Sequence, residues 1–300
     1  MPKEPPRMRQ KRRFHLRPRG NICLVIDRVA QFGVKKWLLI FLAAACTVLL
    51  LLAGFATSRP TDNRPKPPLA LMTSLPLIWS EGGIEADLAK DVAPHPAFKR
   101  LSAHYDITPI DDLEAWGPKP KHMLLLAQPR AFAPRELVRL DNWVRQGGLV
   151  LILADPALQW GSLYPLGDKR RPLFTSMLSP LFAHWGLELV LPLEDEVPAS
   201  MRKIGVFPIR TVTAGEWLPK QSTAKGRCAI LAKGLLADCR IGKGRAVLVA
   251  DADFLDAAFW EGQGMRILTG KDEFANMALL QALLTALQDD KGLSGDFVGK

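Results

Sequence analysis

The sequence lacks the short motifs on which many common enzyme mechanisms depend. It has four cysteines in 300 residues and no CxxC pair, which argues against a zinc or dithiol redox site. It has no GxSxG motif and no P-loop motif of the form GxxxxGKS or GxxxxGKT. Gly242-Lys243-Gly244 precedes a predicted strand and does not open a helix, so a tight turn is favoured there over a phosphate site.

Acidic residues are scarce only at the beginning of the chain. Residues 1–36 hold eleven lysines and arginines against Glu4 and Asp27, a net charge of +9. Residues 58–300 hold 29 basic and 28 acidic residues and are therefore almost neutral. Because the excess charge is confined to this leader, the sequence does not predict a nucleic-acid partner for the protein as a whole.

Residues 37–57 form an uncharged run of 21 residues, directly after Lys35 and Lys36. A helix of that length would extend about 31 Å, which is close to the hydrocarbon thickness of a bilayer. The positive flank places the N-terminus in the cytoplasm and the C-terminus outside. A cleaved signal peptide is the alternative, since Gly54-Phe55-Ala56 resembles a cleavage site, but the long leader favours an uncleaved anchor. The predicted location is the cytoplasmic (inner) membrane of a bacterial-type cell, in a single pass, with the lipid bilayer as partner.

Composition divides the chain into five predicted segments. Residues 1–36 are a basic cytoplasmic leader, and residues 37–57 are the transmembrane helix. Residues 58–68 contain four prolines and are typical of a stiff linker. Residues 69–290 form the predicted extracytoplasmic domain, and residues 291–300 form a C-terminal tail.

The predicted domain alternates short apolar runs with helical patterns. Strands are predicted at 69–73, 122–127, 149–154 and 187–191, and a hairpin followed by a strand at 227–250. Helices are predicted at 85–104, with an interruption by Pro94 and Pro96, and at 133–146, 174–185 and 273–289. The run LVLILA at 149–154 is apolar on both faces, which is typical of a central parallel strand covered on both sides. We therefore expect an α/β fold, namely a three-layer sandwich with a mostly parallel sheet.

Two of the four cysteines lie in the predicted hairpin. If Lys233-Gly234 forms its tip, Cys228 and Cys239 lie opposite each other, and an oxidising compartment would allow a disulfide. Two separate, half-buried thiols are the alternative. Cys23 falls in the leader and Cys46 in the predicted span.

Polar residues follow several of the predicted strands. These strand ends are Thr73-Ser74, Gln128-Pro129-Arg130, Asp155-Pro156 and Asp251-Ala252-Asp253. Ligands of open α/β sheets bind beyond the carboxyl ends of the strands, so Ser74, Arg130, Asp155, Asp251 and Asp253 are candidate ligand-binding residues. The alternative is structural, because an aspartate after a strand commonly caps a turn or the next helix.

Four segments resemble known domains. LVRLDNWVRQGGLVLILADP (137–156) resembles the helix–Gly-Gly–strand unit of domains related to class I glutamine amidotransferases. LSPLFAHWGLEL (178–189), IGKGRAVLVADADFLD (241–256) and FANMALLQALL (274–284) resemble the extracytoplasmic GldG-like family, which is associated with ABC transporters, and related families of unknown function. The resemblance covers roughly residues 69–290.

The resemblance implies a flavodoxin-like, amidotransferase-type fold whose enzymes carry a cysteine at the elbow after a central strand. This chain has Asp155-Pro156 there, which argues against amidotransferase chemistry. The resemblance also adds Asn276 to Asp251 and Asp253, as positions where such domains carry polar residues.

The sequence thus predicts a membrane-anchored, non-catalytic binding or scaffold subunit of a cell-envelope complex. Its expected partners are integral membrane proteins, with an ABC-type permease as the implied example, and no catalytic residue, metal ligand or cofactor is predicted. The alternative is an envelope hydrolase that uses Asp251 and Asp253 together with a divalent cation. Attachment of the leader to anionic lipid or to nucleic acid is a third hypothesis, and the adjacent span favours lipid.

Overall fold

The computed structural model describes residue 37 and residues 39–49, 65–82, 93–117, 121–192, 199–221, 226–262 and 272–293. The chain divides into two compact units, Met1–Arg64 and Pro65–Lys300. In the first unit, residues 39–49 are helical and their side chains are exposed. No helix within the described ranges is both long and apolar enough to cross a bilayer. The predicted leader, the second half of the predicted span and most of the linker lie outside the described residues.

The second unit is built on a seven-stranded sheet with the strand order β2-β1-β3-β4-β11-β10-β9. Its strands are β1 (Pro68–Thr73), β2 (Asp106–Pro109), β3 (Met123–Ala127), β4 (Leu149–Leu153), β9 (Gly226–Leu231), β10 (Leu236–Ile241) and β11 (Gly244–Val249). Four of the six neighbouring pairs are parallel, and only the pairs that include β10 are antiparallel. The predicted α/β class with a mostly parallel sheet is therefore confirmed.

The remaining strands form two small antiparallel ribbons. Strand β5 (Leu187–Val190) pairs with β8 (Glu216–Pro219), and β6 (Ala199–Ile204) pairs with β7 (Phe207–Val212). The sequence analysis missed β6, β7 and β8. Strands β6 and β7 are also joined through side chains, since the hydroxyl oxygens of Ser200 on β6 and Thr211 on β7 lie 2.9 Å apart.

Helices cover the sheet in two groups. They are α1 (Pro96–His104), α2 (Leu113–Trp116), α3 (Pro134–Arg145), α4 (Ser179–Trp185), α5 (Ala257–Trp260) and α6 (Asn276–Gln288), with a 3₁₀ turn at Asp253–Leu255. Helix α6 contacts α1 and strands β4 and β11, whereas α3 contacts α2, α4 and β11. Since every residue of β3 and β11 is buried, both faces of the central strands are covered, as a three-layer sandwich requires.

Helix α3 shows how local sequence signals set the boundaries of an element. Pro134 occupies its first turn, and the Glu136 carboxylate accepts a hydrogen bond from the Ala133 N–H (2.8 Å), which satisfies one of the free donors at the helix start. The helix ends before Gly147, whose φ of +116° lies in a region that side chains rarely adopt. The predicted helix 133–146 therefore agrees closely with the structure.

One predicted helix begins later in the structure than its apolar pattern indicates, and another is described only in part. The helix expected at 174–185 begins at Ser179, because the preceding segment is tied to the loop after β4: the Ser176 N–H donates to the Asp155 carbonyl (2.8 Å). For the helix expected at 85–104, the structure shows the part Pro96–His104, and residues 93–95 before it are not helical, in agreement with the interruption expected at the prolines. Residues 83–92 lie outside the described residues.

The hairpin β9–β10 places Cys239 directly opposite Cys228, and the structure contains the disulfide between them. Their Cα atoms are 4.0 Å apart. The turn between the two strands includes Lys233-Gly234, as the spacing predicted. The next turn, at Gly242-Lys243, connects β10 to β11 through Gly242 with a φ of +62°, so the tight turn predicted there is also present.

Candidate functional site

Three of the predicted site residues meet at the carboxyl edge of the sheet. Strands β4 and β11 are parallel neighbours in which Leu153 pairs with Val249, and Asp155 and Asp251 each follow two residues later. The two aspartates therefore leave the sheet side by side, and Asp253 returns to them through the 3₁₀ turn. One carboxylate oxygen of each of the three side chains lies within 4.8 Å of the others. All three side chains are fully buried; we call them the aspartate cluster.

Asp155 stabilises the two chain segments that leave β4 and β11. Its Oδ1 accepts a hydrogen bond from the Ala157 N–H (2.8 Å), and its Oδ2 accepts one from the Ala252 N–H (3.0 Å). The first bond forms an aspartate turn, which is the structural role expected of an aspartate that follows a strand. The second joins two strand ends that are far apart in the sequence.

Asp251 connects the sheet to the β6–β7 ribbon. Its Oδ2 accepts a hydrogen bond from the Val212 N–H (3.1 Å), and its Oδ1 accepts one from the Phe254 N–H (2.7 Å). Val212 is the last residue of β7, so this carboxylate fixes the end of the ribbon against the edge of the sheet.

Asp253 is the least satisfied member of the cluster. Its Oδ2 accepts a hydrogen bond from the Gln159 N–H (2.7 Å), while its Oδ1 is buried and has no hydrogen-bond partner. A buried carboxylate oxygen without a partner costs free energy, because it has lost its hydration without replacement.

Burial dominates the electrostatics of the cluster. It raises the pKa of Asp155 to about 6, against the opposing effect of backbone N–H donors. Burial, followed by the nearby charge of Asp155, raises the pKa of Asp253 to about 8. Burial and the charges of both neighbours raise the pKa of Asp251 well above its ordinary value. Each effect disfavours the charged form, so three negative charges do not coexist here without compensation.

Gln128 is a central residue that the sequence analysis did not select. Its side chain is fully buried; Oε1 accepts from the Asp155 N–H (2.9 Å) and Nε2 donates to the Leu173 carbonyl (2.9 Å). Its backbone, with a φ of +41°, turns the chain directly after β3. A polar residue at the end of a fully apolar strand was the signal that could have identified it.

Asn276 lies beside the same network, and its hydrogen-bond partners are backbone groups outside the aspartate cluster. Its Oδ1 accepts from the Arg210 N–H (3.0 Å), and its Nδ2 donates to the carbonyls of Arg210 (2.9 Å) and Phe254 (3.1 Å). Asn276 thereby ties the start of α6 to β7 and to the 3₁₀ turn. All three hydrogen bonds of the Asn276 side chain are therefore made with backbone groups of this domain.

Ser74 and Arg130 form side-chain hydrogen bonds with residues outside the aspartate cluster. The Ser74 hydroxyl donates to the Gln128 carbonyl and borders a surface cavity of about 430 Å³, which Trp79, Tyr164 and Arg170 also line. The Arg130 guanidinium forms two hydrogen bonds with the Glu136 carboxylate (2.6 and 3.0 Å) at the start of α3. These bonds raise the pKa of Arg130 and lower that of Glu136. Of the candidate residues at the strand ends, the three aspartates therefore meet, whereas the Arg130 side chain pairs with Glu136.

The elbow after β4 carries Asp155-Pro156, and its carboxylate is engaged by two backbone N–H groups. Neither residue offers the thiol or hydroxyl that nucleophilic catalysis requires. The buried cluster can hold protons or a cation, and in this conformation a large substrate does not reach it. The hydrolase alternative stays a prediction that this burial disfavours.

Residues 66–190 match the model of a family described as an ABC-type uncharacterized transport system. The predicted resemblance to a transporter-associated family is confirmed. The matched region runs from the start of the sheet to the end of β5 and includes Ser74, Arg130 and Asp155. Asp251, Asp253 and Asn276 lie beyond it. No curated protein matches the chain.

Several solved glycosidase structures are similar to part of the chain. An exo-β-1,4-mannosidase, Op5Man5, from Opitutaceae bacterium strain TAV5 has 16% identity and a TM-score of 0.37, covering 73% of this chain and 36% of that one. A β-galactosidase from Rahnella sp. R3 has 14% identity and a TM-score of 0.36, covering 75% and 32%. This chain thus spans about a third of the length of those enzymes, and similarity at this level assigns no activity.

Proposed function

We propose that this protein is a membrane-anchored, non-catalytic subunit that binds the membrane components of an ABC-type transport complex. The observation that carries the proposal is the match of residues 66–190 to a family of ABC-type transport systems. The protein's role in this proposal is to present an extracytoplasmic docking domain, with the transporter supplying the energy-dependent step.

The candidate site supports a binding role over a catalytic one. Both carboxylate oxygens of Asp155 and of Asp251 accept hydrogen bonds from backbone N–H groups. The side-chain amide of Asn276 is hydrogen-bonded to the backbone of β7 and of the 3₁₀ turn. A general acid or base must reach its substrate within hydrogen-bond distance. Side chains buried and bonded in this way stabilise a fold and leave little capacity for turnover.

Membrane attachment is part of the proposal. The uncharged run at 37–57 and the eleven basic residues before it support a single-pass anchor with its N-terminus in the cytoplasm. Anionic lipids of the inner leaflet would bind the leader. The test is extraction of native membranes with alkaline carbonate: the protein should remain in the pellet. Release into the supernatant would contradict the anchor and leave the docking role open.

The loop after β4 offers a surface for a protein partner. Leu163 is 90% exposed and Leu166 is 79% exposed, and both lie inside the region that matches the transport family. They are followed by Lys169, Arg170 and Arg171. Exposed apolar side chains beside charged ones are typical of interaction sites, and we assign this loop to the transporter subunit.

Co-purification tests the function directly. The full chain, tagged at its C-terminus and extracted in mild detergent, should retain a permease and an ATPase subunit through two successive columns. A tagged single-pass protein with an unrelated outer domain is the matched control and should retain neither. Recovery of the chain alone from several detergents would contradict the proposal.

A further inference from the structure

The aspartate cluster brings three carboxylates together without a basic partner. Among the ion pairs of the described residues, none includes Asp155, Asp251 or Asp253. A buried charge is ordinarily paired with an opposite charge or bound to a metal, because the desolvation cost is otherwise several kcal/mol. Since no side chain among the described residues supplies this charge, the cluster is compensated either by protons or by a bound cation.

Asp253 supplies a second, independent observation. Its Oδ1 is fully buried and has no hydrogen-bond partner, although N–H donors satisfy the other carboxylate oxygens of the cluster. An ionised carboxylate has about four acceptor positions, so an oxygen that already accepts one N–H can still bind a cation. Each of the three side chains therefore keeps capacity for a ligand on the inside of the cluster.

We propose that Asp155, Asp251 and Asp253 together bind one divalent cation of the calcium class. The donors are all carboxylate oxygens, which hard cations prefer and which soft metals such as zinc do not select. The oxygens lie within 4.8 Å of one another. Two oxygens bound to one Ca²⁺ at about 2.3–2.6 Å are at most about 5 Å apart, so the three oxygens can share one Ca²⁺. Mg²⁺ usually keeps several waters and binds through one or two carboxylates, so a buried set of three carboxylates favours Ca²⁺.

The position of the cluster gives such an ion a structural role. Asp155 and Asp251 close two strand ends, and Asp253 holds the loop after β4 through the Gln159 N–H. A cation between them would stabilise the sheet edge, the β6–β7 ribbon and that loop at once. The inference depends on the cluster geometry and is independent of the proposed transporter partner.

The test uses the full chain in detergent after removal of metals with a chelator. Calorimetric titrations with CaCl₂, MgCl₂ and MnCl₂ are carried out separately on the wild type, Asp253→Asn and Asp111→Asn. Asp253→Asn keeps an acceptor for the Gln159 N–H and removes the charge. Asp111 is exposed near the same edge and serves as the control. We expect the wild type to bind one Ca²⁺ per chain. The calcium affinity should fall by about tenfold or more in Asp253→Asn and stay unchanged in Asp111→Asn.

Thermal unfolding of the wild type provides a measurement that needs no variant. Calcium should raise the unfolding temperature relative to the chelator-treated protein, since a ligand that binds only the folded state stabilises it. Absence of both heat and thermal shift with all three cations, in protein with an intact circular dichroism spectrum, would overturn the inference. Equal calcium affinity in the wild type and Asp253→Asn would overturn it too. In either case protons would be the compensating species.

Discussion

Gln128 shows how one buried amide can hold two separate parts of the chain. It accepts a hydrogen bond from the Asp155 N–H and donates one to the Leu173 carbonyl, which lies in the segment before α4. The residue thus couples the ends of β3 and β4 to the long loop between β4 and α4. If the amide were removed, the Asp155 N–H and the Leu173 carbonyl would each lose a hydrogen-bond partner.

We expect Gln128→Met to lower the free energy of unfolding by about 2–4 kcal/mol, because the buried Asp155 N–H and the partly buried Leu173 carbonyl lose their partners while the side-chain volume is kept. Urea unfolding followed by circular dichroism measures the change. Gln146→Met at the exposed end of α3 is the control, with an expected change within about 0.5 kcal/mol. Equal effects of the two substitutions would show that the Gln128 amide does not stabilise the fold.

The aspartate cluster predicts an unusual pH dependence for the metal-free protein. The pKa of Asp253 is raised from 3.8 to about 8, and that of Asp155 from 3.8 to about 6. Between its ordinary and its raised pKa, each group binds more protons in the folded state than in the unfolded state. Stability should therefore be greatest below about pH 4 for these groups and should fall as pH rises toward 8. Each group contributes a slope of at most about 1.4 kcal/mol per pH unit.

The measurement is the urea midpoint as a function of pH in the presence of a chelator. Asp253→Asn should reduce the slope, since an amide does not titrate. A midpoint that rises steadily from acid to neutral pH in the wild type would contradict the raised pKa values.

Part of this residue-scale arrangement was predictable from the sequence. The meeting of Asp155 with Asp251 follows from two apolar strands that end in aspartates, once the strands are adjacent and parallel. Their hydrogen-bond partners were not predictable, because the Gln159 N–H that bonds to Asp253 and the Val212 N–H that bonds to Asp251 come from other parts of the chain. Arg130 was selected over Gln128 because charge is the more visible signal, whereas the left-handed turn at Gln128 decides which side chain points inward.

At the scale of elements, the cross-linked hairpin β9–β10 makes a separate contribution. Cys228 and Cys239 lie eleven residues apart, and the chain-entropy model assigns a bond closing such a loop about 3 kcal/mol. We expect the double variant Cys228→Ala and Cys239→Ala to be less stable by about that amount under oxidising conditions. Urea unfolding in oxidised and reduced samples measures it.

The same variant contains its own control. With the disulfide reduced, the wild type and the double variant should differ much less than they do when oxidised, since neither then has a cross-link. A difference that is equally large in reductant would assign the effect to the lost packing of the fully buried Cys239.

Elements with strong local signals were predicted well, and those that depend on tertiary contacts were not. Strand β4 is an unbroken apolar run, and α3 has a proline at its start and two glycines after its end. The ribbon β6–β7 has only a weak alternation of buried and exposed residues in β7. Its place is determined by Asp251 and Asn276, which bond to its backbone from other elements.

At the scale of the whole molecule, the exposed loop after β4 predicts where a partner binds. We expect the double substitution Leu163→Ser and Leu166→Ser to reduce co-purification of transporter subunits several-fold, because it removes apolar contact area while leaving the buried core intact. The unfolding temperature should stay within about 1–2 °C of the wild type.

Val138→Ser is the matched control for this surface. Val138 lies on α3 and is 61% exposed, so it tests whether loss of any exposed apolar side chain weakens the complex. An equal loss of partner with Val138→Ser, or undiminished co-purification with the loop variant, would exclude the loop as the docking surface.

The oxidation state of the two hairpin cysteines also reports the compartment in which the domain folded. The chain has four cysteines, and only Cys228 and Cys239 belong to the α/β unit. A molecule whose hairpin matured in an oxidising space offers two thiols to a maleimide after denaturation, Cys23 and Cys46. A molecule retained in a reducing cytosol offers four. Counting labelled thiols by mass would therefore report, for each molecule, whether its hairpin matured in an oxidising or a reducing compartment.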